Sequence, residues 1–404
     1  MALPDTTETL SVADGADARA VRAADRTRIA DIEVQILESE RSISSLKEER
    51  NLLQDRLATY AYPVLTLPNE IVSEIFVHFL PVYPGRPPPI GHLSSYLPCQ
   101  ICRKWREIAF ATPKLWRAIS LSLNKVERFP QKLRYLKASL GLSGSCLLSI
   151  KLESHIMDSS YLCQLGQTIA DHCSRWEYLE MNVHLYDFPG LNHSNFLPDI
   201  ELPMPFLRGL KLGGGMERLT ATPLEAPALE KVALRVYHYS YTPVIPWAQL
   251  TVISVDDIQF HQYSFLITEL VNVVHCRFNI SPAGEPSLRD VILLHLETLI
   301  LSESVFVSGN SLSGTLDRLT LPSLRTLQIT ETFLVLDDLP WNEPIDTLVS
   351  LVARSGCNLQ ELFVPDAKTR HEQNYRTTFS PSTSIMLIDE LFITDPFLRQ
   401  MDSQ

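Results

Sequence analysis

No stretch of this 404-residue chain reaches the roughly 18 consecutive apolar residues that a membrane-spanning helix needs, so no such helix is expected. The opening residues, Met-Ala-Leu-Pro-Asp-Thr-Thr-Glu, lack a basic segment leading into an apolar run, and no secretory signal is expected either. Positive charge is scarce: 35 Lys and Arg stand against 47 Asp and Glu, a net charge of −12, and no long basic stretch offsets it. A nucleic-acid backbone or an anionic membrane would be repelled by the average surface, which argues against both as partners. The seven cysteines are odd in number and scattered. Without an export route they are expected as reduced thiols, in the cytoplasm or the nucleus or both.

Recognisable catalytic and ligand motifs are also missing. Cys99 and Cys102 have the spacing of a metal knuckle, but a zinc site needs about four ligands and no second close pair answers them. His172 and Cys173 with Cys163 are similarly incomplete. Gly213-Gly214-Gly215 lacks the lysine and hydroxyl of a phosphate-binding loop and reads as a turn. No Gly-x-Ser-x-Gly element or His-Glu-x-x-His helix occurs. Asp256-Asp257 and Asp337-Asp338 read as turn or cap residues. No catalytic, cofactor-binding or metal-binding residue is therefore assigned, and the chain is not expected to be an enzyme.

What is present is a 45% hydrophobic, 20% charged composition, ordinary for a protein with a sizeable core. The length suits two or three domains or one elongated array. Residues 1–24, rich in Ala, Asp and Thr and without hydrophobic period, read as a disordered lead or a frayed helix. Residues 25–60 read as an amphipathic helix. Within it Ile29, Ile32, Ile36, Ser39, Ile43, Leu46, Arg50, Leu53 and Leu57 follow a 3-4-3-4 spacing, and charged residues surround the seam. Such a helix can pack on the following domain, stay solvated, or form a coiled-coil homodimer through residues 29–57. Pro63 stops it.

Leu67 and Pro68 open the next element, with the proline expected at the first helical position. Ile71, Val72, Ile75, Phe76, Phe79 and Leu80 give it a broad apolar face. Residues 81–89 break it with five prolines and a glycine. A second helical run starts near Ser94-Ser95 and carries Ile101, Cys102, Trp105, Ile108 and Ala109 on one face, before a stop at Thr112-Pro113. Two or three helices cannot bury this much apolar surface among themselves, which leaves Leu67, Pro68 and Trp105 for a partner. On these residues the segment 65–121 resembles the F-box domain, in the form frequent in fungal F-box proteins. The resemblance implies docking on a Skp-family adaptor, and through it a cullin, with Leu67, Pro68, Ile71, Ile75, Ile101 and Trp105 as the docking residues. The proline-rich insert is a departure, since the family usually has a short acidic turn there.

From Trp116 onward a pattern recurs of apolar, two residues, apolar, one residue, apolar. It runs Trp116-Ile119-Leu121, Leu147-Ile150-Leu152, Trp176-Leu179-Met181, Leu207-Leu210-Leu212, Leu229-Val232-Leu234, Leu250-Ile253-Val255, Val273-Cys276-Phe278, Leu296-Leu299-Leu301, Leu324-Leu327-Ile329 and Leu359-Leu362-Val364. Starts at 207, 229, 250, 273 and 296 are 22, 21, 23 and 23 residues apart, inside the range of about 20–29 for leucine-rich repeats. Longer gaps should hold helices, for example over 158–174 and 345–355. Residues 122–404 are thus expected to form a degenerate leucine-rich-repeat-like α/β solenoid of parallel strands, an ordinary α/β domain being the alternative. Its outward strand residues, running from Tyr178 to Phe363, would line a concave face. Lys231, Arg235, Asp256, Arg277, Gln328 and Phe363 are the candidates for binding a target protein, around a basic centre.

The expected function is substrate-recognition adaptor of a cullin–RING ubiquitin ligase. A scaffold that dimerises through its N-terminal helix and joins no ligase is the alternative, and an enzyme on an unrecognised α/β fold the third reading.

Overall fold

The structure is a computed structural model that describes residues 11–59, 63–123, 128–154, 159–183, 203–213, 224–235, 245–281, 289–304, 312, 314–334, 343–365, 369–379 and 383–387. The chain divides into two compact units, Met1–Pro68 and Asn69–Gln404.

In the first unit, helix α1 spans Ser11–Thr59. It takes in residues 11–24, expected as a disordered or frayed lead. Six alanines between Ala13 and Ala24, the strongest helix former, account for the difference. Residues 1–10 of that lead lie outside the described set. Every side chain from Arg19 to Leu57 is exposed, the heptad seam included.

The second unit opens with α2 (Asn69–Phe79), so Pro68 stands just ahead of the helix instead of in its first turn. The second helical run is two helices, α3 (Leu97–Ile101) and α4 (Arg103–Phe110), not one. The break falls at Cys102, whose backbone is extended (φ −153°, ψ 170°). Its thiol sulfur accepts the Trp105 amide at 3.4 Å and caps α4, while the Arg106 side chain donates to the Cys99 carbonyl at 2.7 Å at the end of α3. These bonds serve helix-end groups that a continuous helix would have paired internally.

The strands are β1 (Ala118–Ser122), β2 (Leu148–Ser154), β3 (Trp176–Val183), β4 (Gly209–Gly213), β5 (Lys231–Arg235), β6 (Val252–Gln259), β7 (His275–Ser281), β8 (Val291–Ile292), β9 (Thr298–Glu303), β10 (Leu319–Thr320), β11 (Thr326–Ile329), β12 (Glu361–Phe363) and β13 (Ser384–Met386). Eleven of them form one sheet in the order β1-β2-β3-β4-β5-β6-β7-β9-β11-β12-β13, and β8 pairs with β10 separately. All pairings are parallel. Between strands run α5 (Phe129–Leu142), α6 (Ser159–Ala170), α7 (Phe260–Glu269), α8 (Pro344–Ser355) and α9 (Thr369–Thr378). Helices α6 and α8 occupy the two long gaps in which helices were expected.

The recurring triplets account for this order. In each, the last two apolar residues point to the same side of a strand, because side chains alternate. The cross-strand register then joins them into two ladders. One runs Ile119, Ile150, Leu179, Leu210, Val232, Ile253, Cys276, Leu299, Leu327 and Leu362. The other runs Leu121, Leu152, Met181, Leu212, Leu234, Val255, Phe278, Leu301 and Ile329. Every triplet residue except Leu147 is buried. Apolar residues of α5, α6, α7 and α8 belong to the same core, which fixes the side of the sheet that the helices cover. The opposite side carries the polar strand residues. Pro205 and Pro227 lie in turns ahead of β4 and β5, whereas Gly213, expected in a turn, closes β4 itself.

The two faces should answer differently to truncation. Phe278→Ala empties a fully buried site between Val255 and Leu301 and should cost about 3–5 kcal/mol in urea unfolding. Gln328→Ala on the polar face should stay within about 0.5 kcal/mol. Equal losses at the two positions would contradict this assignment of faces.

Candidate functional site

The second unit offers two candidate surfaces, and a loop connects them. On α2, Val72 and Phe76 point inward, and Phe76 meets Trp105 of α4 edge-on at 5.1 Å between ring centroids. Ile71 and Ile75, one turn apart on the outer side, are 51% and 48% exposed, and Ile101 on α3 is 56% exposed. Leu67 is half-buried and Pro68 exposed, both in the first unit. Trp105, expected to face a partner, makes its ring contact inside the cluster. It is half-buried, packed on Phe76 within the helical cluster, with its indole nitrogen enclosed and without an acceptor. The exposed apolar surface of the three helices includes Ile71, Ile75 and Ile101, with Phe79 and Phe110 at the helix ends. Beside it, between α2 and α4, lies a groove of about 450 Å³ lined by Glu70, Ser73, Lys104 and Glu107 among others.

The proline-rich insert does not hang free. Pro84 and Pro87 are buried, and the segment is laid on the polar side of β1–β3. The Tyr83 hydroxyl donates to Glu177 at 2.7 Å, and Ser149 donates to the Pro84 carbonyl at 2.9 Å. The Arg117 guanidinium sits 3.8 Å from the Tyr83 ring centroid, a cation–π contact. Tyr178 meets the same ring edge-on, and the Tyr178 ring in turn lies over Gly209, where a Cβ would come within 2.9 Å of it. Burial raises the Tyr83 hydroxyl pKa far above its ordinary value, and the hydrogen bond to Glu177 pushes it the same way.

Next to Tyr83, Arg86 forms an ion pair with Glu180 of β3 at 3.0 Å, with both side chains nearly buried. Lys151 and Lys211 reach the other oxygen of the same carboxylate, each at 3.2 Å, from the neighbouring strands. Burial alone would raise the Glu180 pKa, but Lys211, Lys151 and Arg86 together outweigh it and hold the carboxyl below its ordinary range. One acidic side chain thus joins three strands and the insert.

Further along the polar face stand the six residues expected to bind a target. They occupy three cross-strand rows. Arg277, Gln328 and Phe363 share one, with Ile300 between Arg277 and Gln328. Lys231 is separated from His275 by Val252, and Arg235 is paired in register with Asp256. Asp256 forms an ion pair with Arg277 at 3.2 Å, whereas Arg235 reaches Asp257 at 3.4 Å. Two cations of the expected basic centre, Arg235 and Arg277, are therefore paired with carboxylates of β6. Burial lowers the His275 pKa, Glu297 opposes that shift and Lys231 adds to it.

Asp256 and Asp257 are not the turn or cap pair expected from sequence. They form a bulge inside β6, where pairing with β7 slips between Val255 and Ile258. Asp257 adopts φ 62°, unusual for a residue other than glycine, and accepts a hydrogen bond from Ser304 at 2.9 Å. The bulge turns two successive carboxylates toward two different arginines. Asp337-Asp338 lie outside the described residues.

Sequence reasoning also missed a buried polar cluster near the C-terminal end of the sheet. His371 Nδ1 lies 3.0 Å from Glu331 Oε1, and the Tyr375 hydroxyl donates to that oxygen at 3.1 Å. The four-residue spacing of His371 and Tyr375 puts both on one side of α9, but nothing local signals a partner 40 residues away. Among the described residues, no group of three or more His, Cys, Asp or Glu is placed to hold a metal ion. No helix among them is long and apolar enough to cross a membrane. The chain matches no family model, no curated protein and no solved structure, so nothing there identifies an F-box domain.

Glu180 makes the insert sensitive to acid. Its folded-state pKa lies below the ordinary carboxylate value, so its contribution is complete above about 4.5 and is lost as pH falls through the folded value. Hydrogen-exchange protection over residues 82–92, taken relative to the intrinsic rate at each pH, should stay high at neutral pH and fall below that range. Glu180→Gln should give fast exchange already at pH 7 and cost about 3 kcal/mol, because it removes the carboxylate that the nearly buried Arg86 pairs with. Slow exchange in the variant would mean that the prolines hold the insert without this ion pair.

Proposed function

We propose that the chain is a non-catalytic adaptor of a cullin–RING ubiquitin ligase. In this reading α2, α3 and α4 are an F-box-like module that docks on a Skp-family adaptor. The sheet and its helices are a degenerate leucine-rich-repeat-like solenoid that holds a protein target on the polar face. The observation that carries the proposal is the outward set of Ile71, Ile75 and Ile101, isoleucines left exposed while their helix neighbours Val72 and Phe76 are buried. Exposed apolar side chains of this size grouped on a small helical cluster are what a protein interface leaves when its partner is absent. The strictly sequential, all-parallel strand order supports the solenoid reading, since each unit needs only its neighbours to bury its face.

The reading assigns no chemistry to this chain. A target held on the polar face would be presented to transfer machinery bound at the helical end, at a raised effective concentration. The self-paired ions of β5–β7 fit a surface that selects by complementarity more than by net charge. A second reading is supported by the exposed seam of α1: a scaffold that dimerises and joins no ligase.

The discriminating experiment mixes the purified chain with a Skp-family adaptor and follows co-elution by size-exclusion chromatography. Trp105 packs against Phe76 and is a poor probe, because truncating it would also damage the fold. Ile71→Asp combined with Ile75→Asp changes exposed positions only. It should weaken adaptor binding by about 100-fold while leaving thermal unfolding unchanged. A folded wild-type chain that does not co-elute would remove the ligase reading and leave the scaffold.

A further inference from the structure

The proline-rich insert meets the sheet at a site whose other half is assembled without it. The Tyr178 ring is seated over Gly209, where a Cβ would come within 2.9 Å of it. Arg208 lies 3.6 Å from the Glu177 carboxylate, and Lys151 and Lys211 each lie 3.2 Å from that of Glu180. Strand-borne partners therefore hold the ring and both carboxylates in place independently of Tyr83 and Arg86. A site organised in advance loses little freedom when a ligand arrives.

The insert itself has the form of a ligand. Among the described residues no backbone–backbone hydrogen bond joins it to a strand. It is held through side chains: Tyr83 to Glu177, Ser149 to the Pro84 carbonyl, and Arg86 to Glu180. Prolines keep such a segment extended before it docks, so little conformational freedom is lost on docking. Contact is confined to its middle, since Pro84 and Pro87 are buried while Val82 and Ile90 on either side are 87% and 82% exposed. Nor does the helical cluster depend on it. Phe76 packs on Trp105, and the buried Trp116, just ahead of β1, donates its indole N–H to the Ala109 carbonyl of α4 at 2.9 Å.

We propose that this place on β2 and β3 is a recognition site for an extended, proline-rich segment of a partner protein, and that the insert is its internal occupant. The segment carries a tyrosine and, three positions on, an arginine. Its tyrosine ring meets Arg117 and Tyr178, its hydroxyl donates to Glu177, and its arginine pairs with Glu180, as Tyr83 and Arg86 do in the insert. Partner and insert compete for one place, so only a segment with both anchors displaces the tethered one. The proposal rests on the reading of the polar face as the target surface. Its test is peptide binding alone, so a failure to co-elute with the adaptor leaves it standing, and its own failure leaves adaptor docking standing.

A synthetic peptide of the insert's own sequence, residues 80–90, is titrated into the whole chain carrying Tyr83→Ala and Arg86→Ala, and followed by saturation-transfer NMR. A segment that stays docked at a tethered effective concentration on the order of millimolar must bind the vacated site in trans with a Kd of about 1 mM or tighter. Its tyrosine ring protons should receive the strongest saturation. Wild type, whose site is filled, should bind the peptide at least about tenfold more weakly. A control peptide carrying both alanines should not bind. Arg86→Gln keeps the Tyr83 contacts and is the milder opening should the double variant lose its thermal transition; its affinity should exceed that of wild type. A folded, vacated chain that ignores the peptide up to about 10 mM would overturn the proposal. Equal binding by wild type, or of the alanine peptide, would do the same.

Discussion

No strand of this sheet can bury its apolar side alone, and that constraint organises the second unit. Each strand contributes two or three inward side chains, too few to exclude water until a neighbour covers their flanks. The two ladders from Ile119 to Leu362 and from Leu121 to Ile329 are the result, a core that is continuous across the sheet but only a strand or two deep in dependence. Helices α5 to α8 close one side of it. The opposite side is freed from packing duty and can carry ions, and both the insert and the self-paired charges of β5–β7 are found there.

The insert shows how the helical cluster and the sheet are tied. Tyr83 and Arg86 bring an aromatic ring and a cation to Glu177 and Glu180, the first at the register slip between β2 and β3 and the second on the polar side by strand alternation. Arg117, immediately before β1, completes the enclosure of the ring. A nine-residue interruption that breaks a helix therefore also braces it against β2 and β3.

What could be read in advance was whatever has a short period. The spacing of Leu207, Leu210 and Leu212 and its repeats located the strands, and the apolar row of α2 located a helix, because burial of one side imposes the pattern residue by residue, while the long gap after Ile329 left room for α8. What could not be read depends on partners distant in the chain. The Arg86–Glu180 and Glu331–His371 pairs join residues with no common local pattern. Trp105 illustrates the same limit: an aromatic residue on an apolar helix face has the same signature whether it faces Phe76 or an external partner. The break at Cys102 and the bulge at Asp257 were hidden for a further reason, since each is set by a few hydrogen bonds that override local preference.

Sequential strand order also gives the molecule a direction in time. During synthesis each new strand finds its neighbour already made, so the sheet can lengthen as the chain emerges, without waiting for a distant segment. The insert is the exception. Tyr83 and Arg86 leave the ribosome 94 residues before the carboxylates that receive them. At about 5–20 residues per second that is an interval of roughly 5–20 s. For that time the tyrosine and arginine are open to whatever else the nascent chain meets, and completion of β3 is the event that withdraws them.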